Sequence, residues 1–187
     1  MHKNVSMNSH PHATANIDNV FLDSPIGQLT LWAKDGLLWE LAIGSGSSQP
    51  GNSVDKAAPN AISPADARNR AVLALAEGQL NEYFSGKRNT FELPLASRGT
   101  QFQQLVWGRL AALPFGQTSS YGEIARDIGL ERAARAVGGA VGANPIPIII
   151  GCHRILASNR ALTGYSGGGG LVTKQWLLNH EGIQWKN

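Results

Sequence analysis

Cysteine is almost missing from this chain. Cys152 stands alone among 187 residues, so no intrachain disulfide can form and the fold must hold without that staple, as expected of a protein from a reducing compartment, with the cytoplasm as default. Long apolar runs are missing too. Those present, such as residues 146–150, interrupted by Pro147, fall far short of the roughly 20 residues that cross a bilayer. Residues 1–16 have no apolar stretch of the kind a secretory signal needs and are expected to form a disordered tail. Clusters of cysteine and histidine are absent: His2, His10 and His12 sit in that tail with no cysteine near them, so neither a metal nor another cofactor is expected. Nucleotide loops are absent as well. The Gly-Ser-Gly-Ser-Ser run from Gly44 has Gln49 where a dinucleotide fingerprint needs its third glycine, and no Walker lysine follows any glycine run. Residues 44–60 therefore read as a flexible loop.

What is present is 42% apolar content, enough for a real core in one large or two small domains. The net charge of +3 is unevenly spread. Residues 1–97 carry 7 basic against 9 acidic side chains, and residues 98–187 carry 9 against 4. A basic second half suits a polyanionic partner, because neutralising phosphates releases counterions; the same excess also suits simple solubility.

From Ile17 to Ile43 short apolar segments are punctuated by Ser24-Pro25-Ile26-Gly27 and Lys34-Asp35-Gly36, the turn signals of a β-meander. Ser63, Pro64 and Asp66 mark a helix start. Val72, Leu75, Ala76, Leu80, Tyr83 and Phe84 follow at helical spacing, and Ser85-Gly86-Lys87 ends the run. Residues 90–95 are expected as a last strand, confined to an edge by Pro94. Thr100 caps a second helix with a stripe of Phe102, Leu105, Val106, Leu110 and Leu113. Ser120 and Glu123 have capping-box spacing for a third, which ends at Gly129. A fourth is expected over residues 132–143. The last two form a helix-turn-helix pattern, a pairing that proteins without nucleic-acid partners also use. The fourth is rich in small residues, among them Ala133, Ala134, Gly138 and Gly139, although each interior glycine costs about 1 kcal/mol relative to alanine. Close helix packing would offset that cost, and so would close approach to a duplex groove. Arg132 and Arg135, three apart, are expected to share one face.

Asn144-Pro145 breaks this helix, Pro147 stiffens the exit, and Ile148-Ile149-Ile150 reads as a short buried strand that delivers Gly151-Cys152-His153-Arg154. A lone cysteine is commonly an inert buried hydrophobe. Here two cationic neighbours follow it directly, and nearby cations raise the thiolate fraction that acts as nucleophile.

The stretch Asn144-Pro-Ile-Pro-Ile-Ile-Ile-Gly-Cys152-His153-Arg154-Ile155 resembles the active-site segment of the O6-alkylguanine-DNA alkyltransferases, the methylated-DNA–protein-cysteine methyltransferase family. The likeness extends from Tyr83-Phe84-Ser-Gly-Lys through Gly99-Thr-Gln-Phe102, Ser120-Tyr121-Gly-Glu, Ala134-Arg135-Ala-Val-Gly-Gly-Ala140 and Gly164-Tyr165-Ser-Gly to Trp176-Leu-Leu-Asn-His-Glu181-Gly. It implies an α/β fold class: a small ribonuclease H-like α/β domain over residues 17–97, then a mostly helical winged-helix-like DNA-binding domain over 98–187 that carries the active-site cysteine. It implies that Cys152 accepts the alkyl group, that His153 and Glu181 relay its proton through a water, and that Tyr121 donates to guanine and crowds the phosphate as the nucleotide rotates. Arg135 would fill the gap in the stack, with Arg132, Ala133 and Ala134 beside it on the duplex. Asn144 would brace the active-site turn, Tyr165, Ser166 and Pro147 would wall the base pocket, and the Ile155 carbonyl would accept from the guanine amino group. The partner implied is double-stranded DNA containing O6-alkylguanine, read by a protein expected to be monomeric and potentially cooperative along DNA.

Two departures lie beside the chemistry. Gly151 replaces the family's proline, which predicts a less rigid Cys152 and slower reaction. The loop from Ser166 to Leu171 is about two glycines longer than usual, which predicts a looser pocket or a wider range of adducts. The main rival reading is a protein of the same fold that flips and marks alkylguanine without accepting its alkyl group; keeping Cys152, His153 and Glu181 together disfavours it. A cysteine hydrolase lacks its signature around Cys152, and an alkylation-sensing regulator would need metal-binding cysteines.

Overall fold

The computed structural model describes residues 17–44 and 64–186. The expected tail, most of the 44–60 loop and the Ser63 cap lie outside the described residues.

The first domain is a meander with a helix laid across it. Strands β1 (Ile17–Leu22), β2 (Leu29–Lys34) and β3 (Leu37–Ile43) form an antiparallel sheet in that order, with Ile17 opposite Lys34 and Leu29 opposite Ile43. Asp35 and Gly36 both have positive φ (54° and 77°), the conformation a two-residue hairpin turn needs and the reason the Asp-Gly pair is a turn signal. Helix α1 (Pro64–Phe84) covers the sheet, burying Val72, Leu73, Ala76 and Leu80 against Leu29, Leu31, Leu38 and Leu41. Its Asn69 is fully buried, donating to Asp18 Oδ2 at 2.9 Å and accepting from Gly36 N at 2.8 Å, which pins the helix to the hairpin. The stripe differs from expectation at Leu75, which is 47% exposed, while Leu73 is buried instead. The strand expected over residues 90–95 reduces to one parallel bridge between Leu38 and Leu95. Pro94 has no N–H to extend a ladder and contributes only its carbonyl, which accepts from Leu38 N at 2.8 Å.

The second domain is mostly helical. Helix α2 (Gln101–Ala111) carries a full capping box between Thr100 and Gln103, and α3 (Tyr121–Asp127) one between Ser120 and Glu123. Helix α4 (Ala134–Gly142) packs on both; the indole N–H of Trp107 on α2 donates to Ala140 O at 2.8 Å. On α2, Leu105 is 50% exposed although its spacing placed it on the buried stripe. The two-residue strands β4 (Ser119–Ser120) and β5 (Ile155–Leu156) pair in parallel, and α5 (Leu171–His180) closes the fold.

Two expectations fail around α4. Arg132 lies in the turn before the helix rather than on it, because Gly129, at φ 75°, and the turn that follows postpone the next helical residue to Ala134. The shared-face argument for Arg132 and Arg135 therefore does not apply. The isoleucine run is not a strand. Ile148 has φ 74°, and Pro147 and Ile150 close on each other in a tight turn. All three isoleucines are buried, so the apolar character is used, but in a turn that the β-branched residues would not choose alone.

Buried apolar side chains of both domains form one continuous cluster. Backbone bonds also cross between them: Leu41 N on β3 donates to Pro145 O at 2.9 Å. Among the described residues no helix is long and apolar enough to cross a membrane.

Candidate active site

Cys152 begins a single 3-10 turn, Cys152–Arg154, that follows the isoleucine turn. Asn144 holds that turn from both sides, its amide donating to Ile150 O at 2.9 Å and its Oδ1 accepting from Ile146 N at 3.0 Å. The Cys152 N–H donates to Ile150 O at 2.7 Å. Gly151 has φ −67°, the value proline would impose. A Cβ at that position would lie 2.8 Å from Arg154 Nη1, so the Arg154 side chain fills the space that a side chain at residue 151 would take. The looseness expected of a glycine is opposed by these bonds.

Cys152 is 6% exposed and lines a cavity of about 320 Å3 together with Asn144, Pro147, Tyr165 and Ser166, with residues 40–43 of β3 on the far side. Burial pushes its thiol up; Asn144, the Lys174 ammonium and Tyr165 pull the other way without prevailing. The resting sulfur is therefore a neutral thiol. The cations expected to activate it, His153 and Arg154, are turned to Glu181 instead. His153 Nε2 meets Glu181 Oε1 at 2.7 Å, and Arg154 donates from Nε to Oε2 at 2.8 Å and from Nη2 to Oε1 at 2.9 Å. All three side chains are buried. Burial alone would raise the Glu181 carboxyl, but the hydrogen bonds and charges of His153 and Arg154 outweigh it and hold the group ionised well below the usual carboxylate range. Burial holds His153 down against the pull of Glu181. The imidazole is thus neutral with its proton on Nε2, and Nδ1, buried and without a protein hydrogen-bond partner, carries the lone pair that can accept a proton.

Lys174 was not legible as part of the site. It is 1% exposed, donating to Ile155 O at 2.5 Å and Thr163 O at 3.3 Å, and burial lowers its pKa to about 8. A lysine in a helix ordinarily reads as a solvated side chain, and only the tertiary fold turns this one inward. The Ile155 carbonyl assigned to guanine recognition is the same atom that accepts from Lys174.

The remaining candidates surround the cavity or lie on the helix pair. Tyr121, the first residue of α3, is half-buried with its hydroxyl 2.9 Å from Thr163 Oγ1, and its ring lies over Gly138 of α4, where a Cβ would meet it at 3.8 Å in ordinary contact. The Tyr165 hydroxyl is buried facing the thiol and has no oxygen or nitrogen partner among the described residues. Ser166 is exposed, its hydroxyl donating to Gly142 O at 3.3 Å. The glycines that follow are not slack: a Cβ on Gly167 or Gly168 would meet Ile43 at 3.1 or 2.7 Å, so the longer loop rests on the first domain. Arg132 and Arg135 are exposed on either side of the half-buried Ala133 and Ala134. Among the described residues no group of histidine, cysteine and acidic side chains could hold a metal ion.

Comparison with known proteins places this arrangement. The chain matches the ribonuclease-like domain of 6-O-methylguanine DNA methyltransferase over residues 19–97 and its DNA binding domain over residues 101–183. It is 44% identical over 160 residues to the methylated-DNA–protein-cysteine methyltransferase of Mycobacterium tuberculosis, covering 86% of this chain and 89% of that one. It is 49% identical over 114 residues to the constitutive enzyme of that name from Bacillus subtilis, covering 61% and 68%. The crystal structure of Mycobacterium tuberculosis OGT in complex with DNA superposes with a TM-score of 0.73 at 41% identity, over 88% of this chain and 92% of that one. With both domains matched in order and the cysteine, histidine and glutamate brought together, the chain belongs to the methylated-DNA–protein-cysteine methyltransferase family, the O6-alkylguanine-DNA alkyltransferases.

Proposed function

We infer that this protein repairs alkylated double-stranded DNA by moving the alkyl group from O6 of a flipped guanine to Cys152. The observation that carries the reading is one solitary thiol at the wall of a cavity, directly followed by a neutral histidine whose far nitrogen is fixed by a buried carboxylate.

The chemistry follows from that geometry. A neutral thiol is a poor nucleophile, so its proton must leave as the reaction proceeds. His153 Nδ1 takes it through a water, and Glu181 stabilises the imidazolium formed. The sulfur attacks the alkyl carbon in line, the S–C bond forming as the C–O6 bond breaks. Guanine departs with the C–O6 electron pair as its anion, held by a hydrogen bond from Tyr121, and regains a proton from solvent as the His153 imidazolium gives one up. The product is a thioether, which offers water no electrophilic carbonyl, so each molecule acts once. The base must leave the stack at a cost of a few kcal/mol. Arg135 fills its place, Arg132, Ala133 and Ala134 meet the duplex, and Pro147, Tyr165 and Ser166 wall the pocket while Asn144 keeps the cysteine turn in position. The domain boundary is set near residue 97, the working form is a monomer, and the single cysteine fits a cytoplasmic setting.

Single use is tested by stoichiometry. With O6-methylguanine duplex in excess, restored guanine should rise to one equivalent of protein and stop; continued turnover would exclude a thioether end point.

The Lys174 ammonium lowers the thiol's pKa, and one pKa unit is a tenfold change in thiolate fraction. Lys174→Met is therefore expected to slow transfer by about tenfold near pH 7. Because Lys174 loses its charge around its pKa of about 8, the two proteins should converge as the pH rises past that value. Rates measured from pH 6.5 to 9 check both points.

A further inference from the structure

Tyr83 belongs to the last turn of α1, in the first domain, yet its hydroxyl donates to Glu181 Oε1 at 2.9 Å in the second. It is fully buried. Its ring is boxed by Phe84, Phe91, Phe115 and His180, with centroids 4.8–6.2 Å away, and its carbonyl accepts from His180 Nε2 at 2.7 Å. The phenol therefore cannot turn from the carboxylate. Oε1 is then shared among three donors: His153 Nε2, Arg154 Nη2 and the Tyr83 hydroxyl. Gly116 N and Arg154 Nε occupy Oε2.

Each donor on a carboxylate stabilises its charge and lowers its appetite for a further proton. We propose that Tyr83 is a positioning residue of the alkyl-transfer site, through which the N-terminal domain sets the basicity of Glu181 and hence how readily His153 accepts the Cys152 proton. The inference rests on the reading of His153 and Glu181 as the proton relay. The ionisable groups that face the relay are Cys152 and Arg154 on the 3-10 turn, Lys174 on α5, Tyr165 beside the thiol, and Tyr83 on α1, against which His180 of α5 packs. Burial, and then the charges of Arg154 and Lys174, hold His153 down and Glu181 holds it up, while Tyr83, itself kept protonated by burial and by Glu181, weakens the upward pull. Without the hydroxyl, Oε1 is released to His153: the Nε2–H bond tightens, the imidazolium is favoured, and the histidine is more easily protonated before it can act as a base.

Two variants of the full chain move this balance in opposite directions. In Tyr83→Phe the hydroxyl is removed with the ring kept. In the second, 3,5-difluorotyrosine at position 83 makes the phenol a stronger donor. With histidine-labelled protein at one fixed pH and no DNA, the proton resonance of His153 Nε2–H should move downfield in Tyr83→Phe and upfield with difluorotyrosine. The ratio of transfer rates at pH 6 and pH 8 should fall about fivefold in Tyr83→Phe, within the tenfold of one pKa unit. A resonance that stays in place, or moves the same way in both, would overturn the proposal, as would a slowing equal at every pH. Failure of the underlying reading shows separately: the alkyl group would not be found on Cys152, whatever the resonance does.

Discussion

Glu181→Ala should lower the stability of the fold by about 3–5 kcal/mol, the cost of leaving a buried charge without its partner. The carboxylate accepts from His153, Arg154, Tyr83 and Gly116, and once it is removed the Arg154 guanidinium, 5% exposed, keeps only the Leu113 carbonyl at 2.7 Å. For a protein of this size each kcal/mol is worth about 2–4 °C in Tm, so calorimetry should register a drop of roughly 6–20 °C. Glu181→Gln keeps an acceptor in place and should lose less. The pH dependence has a definite sign. Glu181 has its pKa depressed in the folded state, so its contribution is complete above the unfolded carboxyl value near 4.3 and disappears as the pH falls through the lower folded value. His153, also depressed, acts likewise below its unfolded value of about 6.5. The wild type should therefore lose stability steadily in acid, and Glu181→Ala should lose less of it, having less to lose.

Arg135→Ala should slow repair of duplex O6-methylguanine by about 100-fold and leave reaction with the free base O6-benzylguanine within about twofold. The argument is energetic. Extruding a base costs a few kcal/mol, and 1.4 kcal/mol is a factor of ten, so a side chain that recovers about 3 kcal/mol by filling the stack is worth two decades on duplex and nothing on a base already free. Arg135 stands exposed in the first turn of α4 and makes no ion pair among the described residues, so its removal has little to disturb in the fold. Equal losses on both substrates would remove it from base extrusion.

How far the sequence could be read depended on how local each determinant was. Caps and turns are settled within four residues, and those at Thr100, Ser120, Asp35-Gly36 and Gly86 stand where their side chains and backbone needs put them. The cysteine segment was legible because its residues are contiguous, and both domains and the family followed from the resemblance it opened. Features set by contacts between distant segments were not legible. Ile148 adopts positive φ because the surrounding turn and core impose it against the preference of a β-branched residue. Lys174 turns inward because the carbonyls of Ile155 and Thr163 await it. Tyr83 was readable as one more apolar position on α1, and its hydroxyl acquires meaning only through a carboxylate 98 residues away. The expected lowering of the thiol's pKa by two cationic neighbours is not met for the same reason: Glu181 draws the Arg154 charge and burial keeps His153 neutral, leaving it to act on the thiol as a base rather than as a cation.

The most direct test of the account is the intact mass of the protein after incubation with duplex O6-methylguanine. It should rise by the mass of one methyl group, located by fragmentation on Cys152 and absent from Cys152→Ala. Tight binding of the damaged duplex with no change in mass would contradict transfer and identify a protein that recognises the lesion without repairing it.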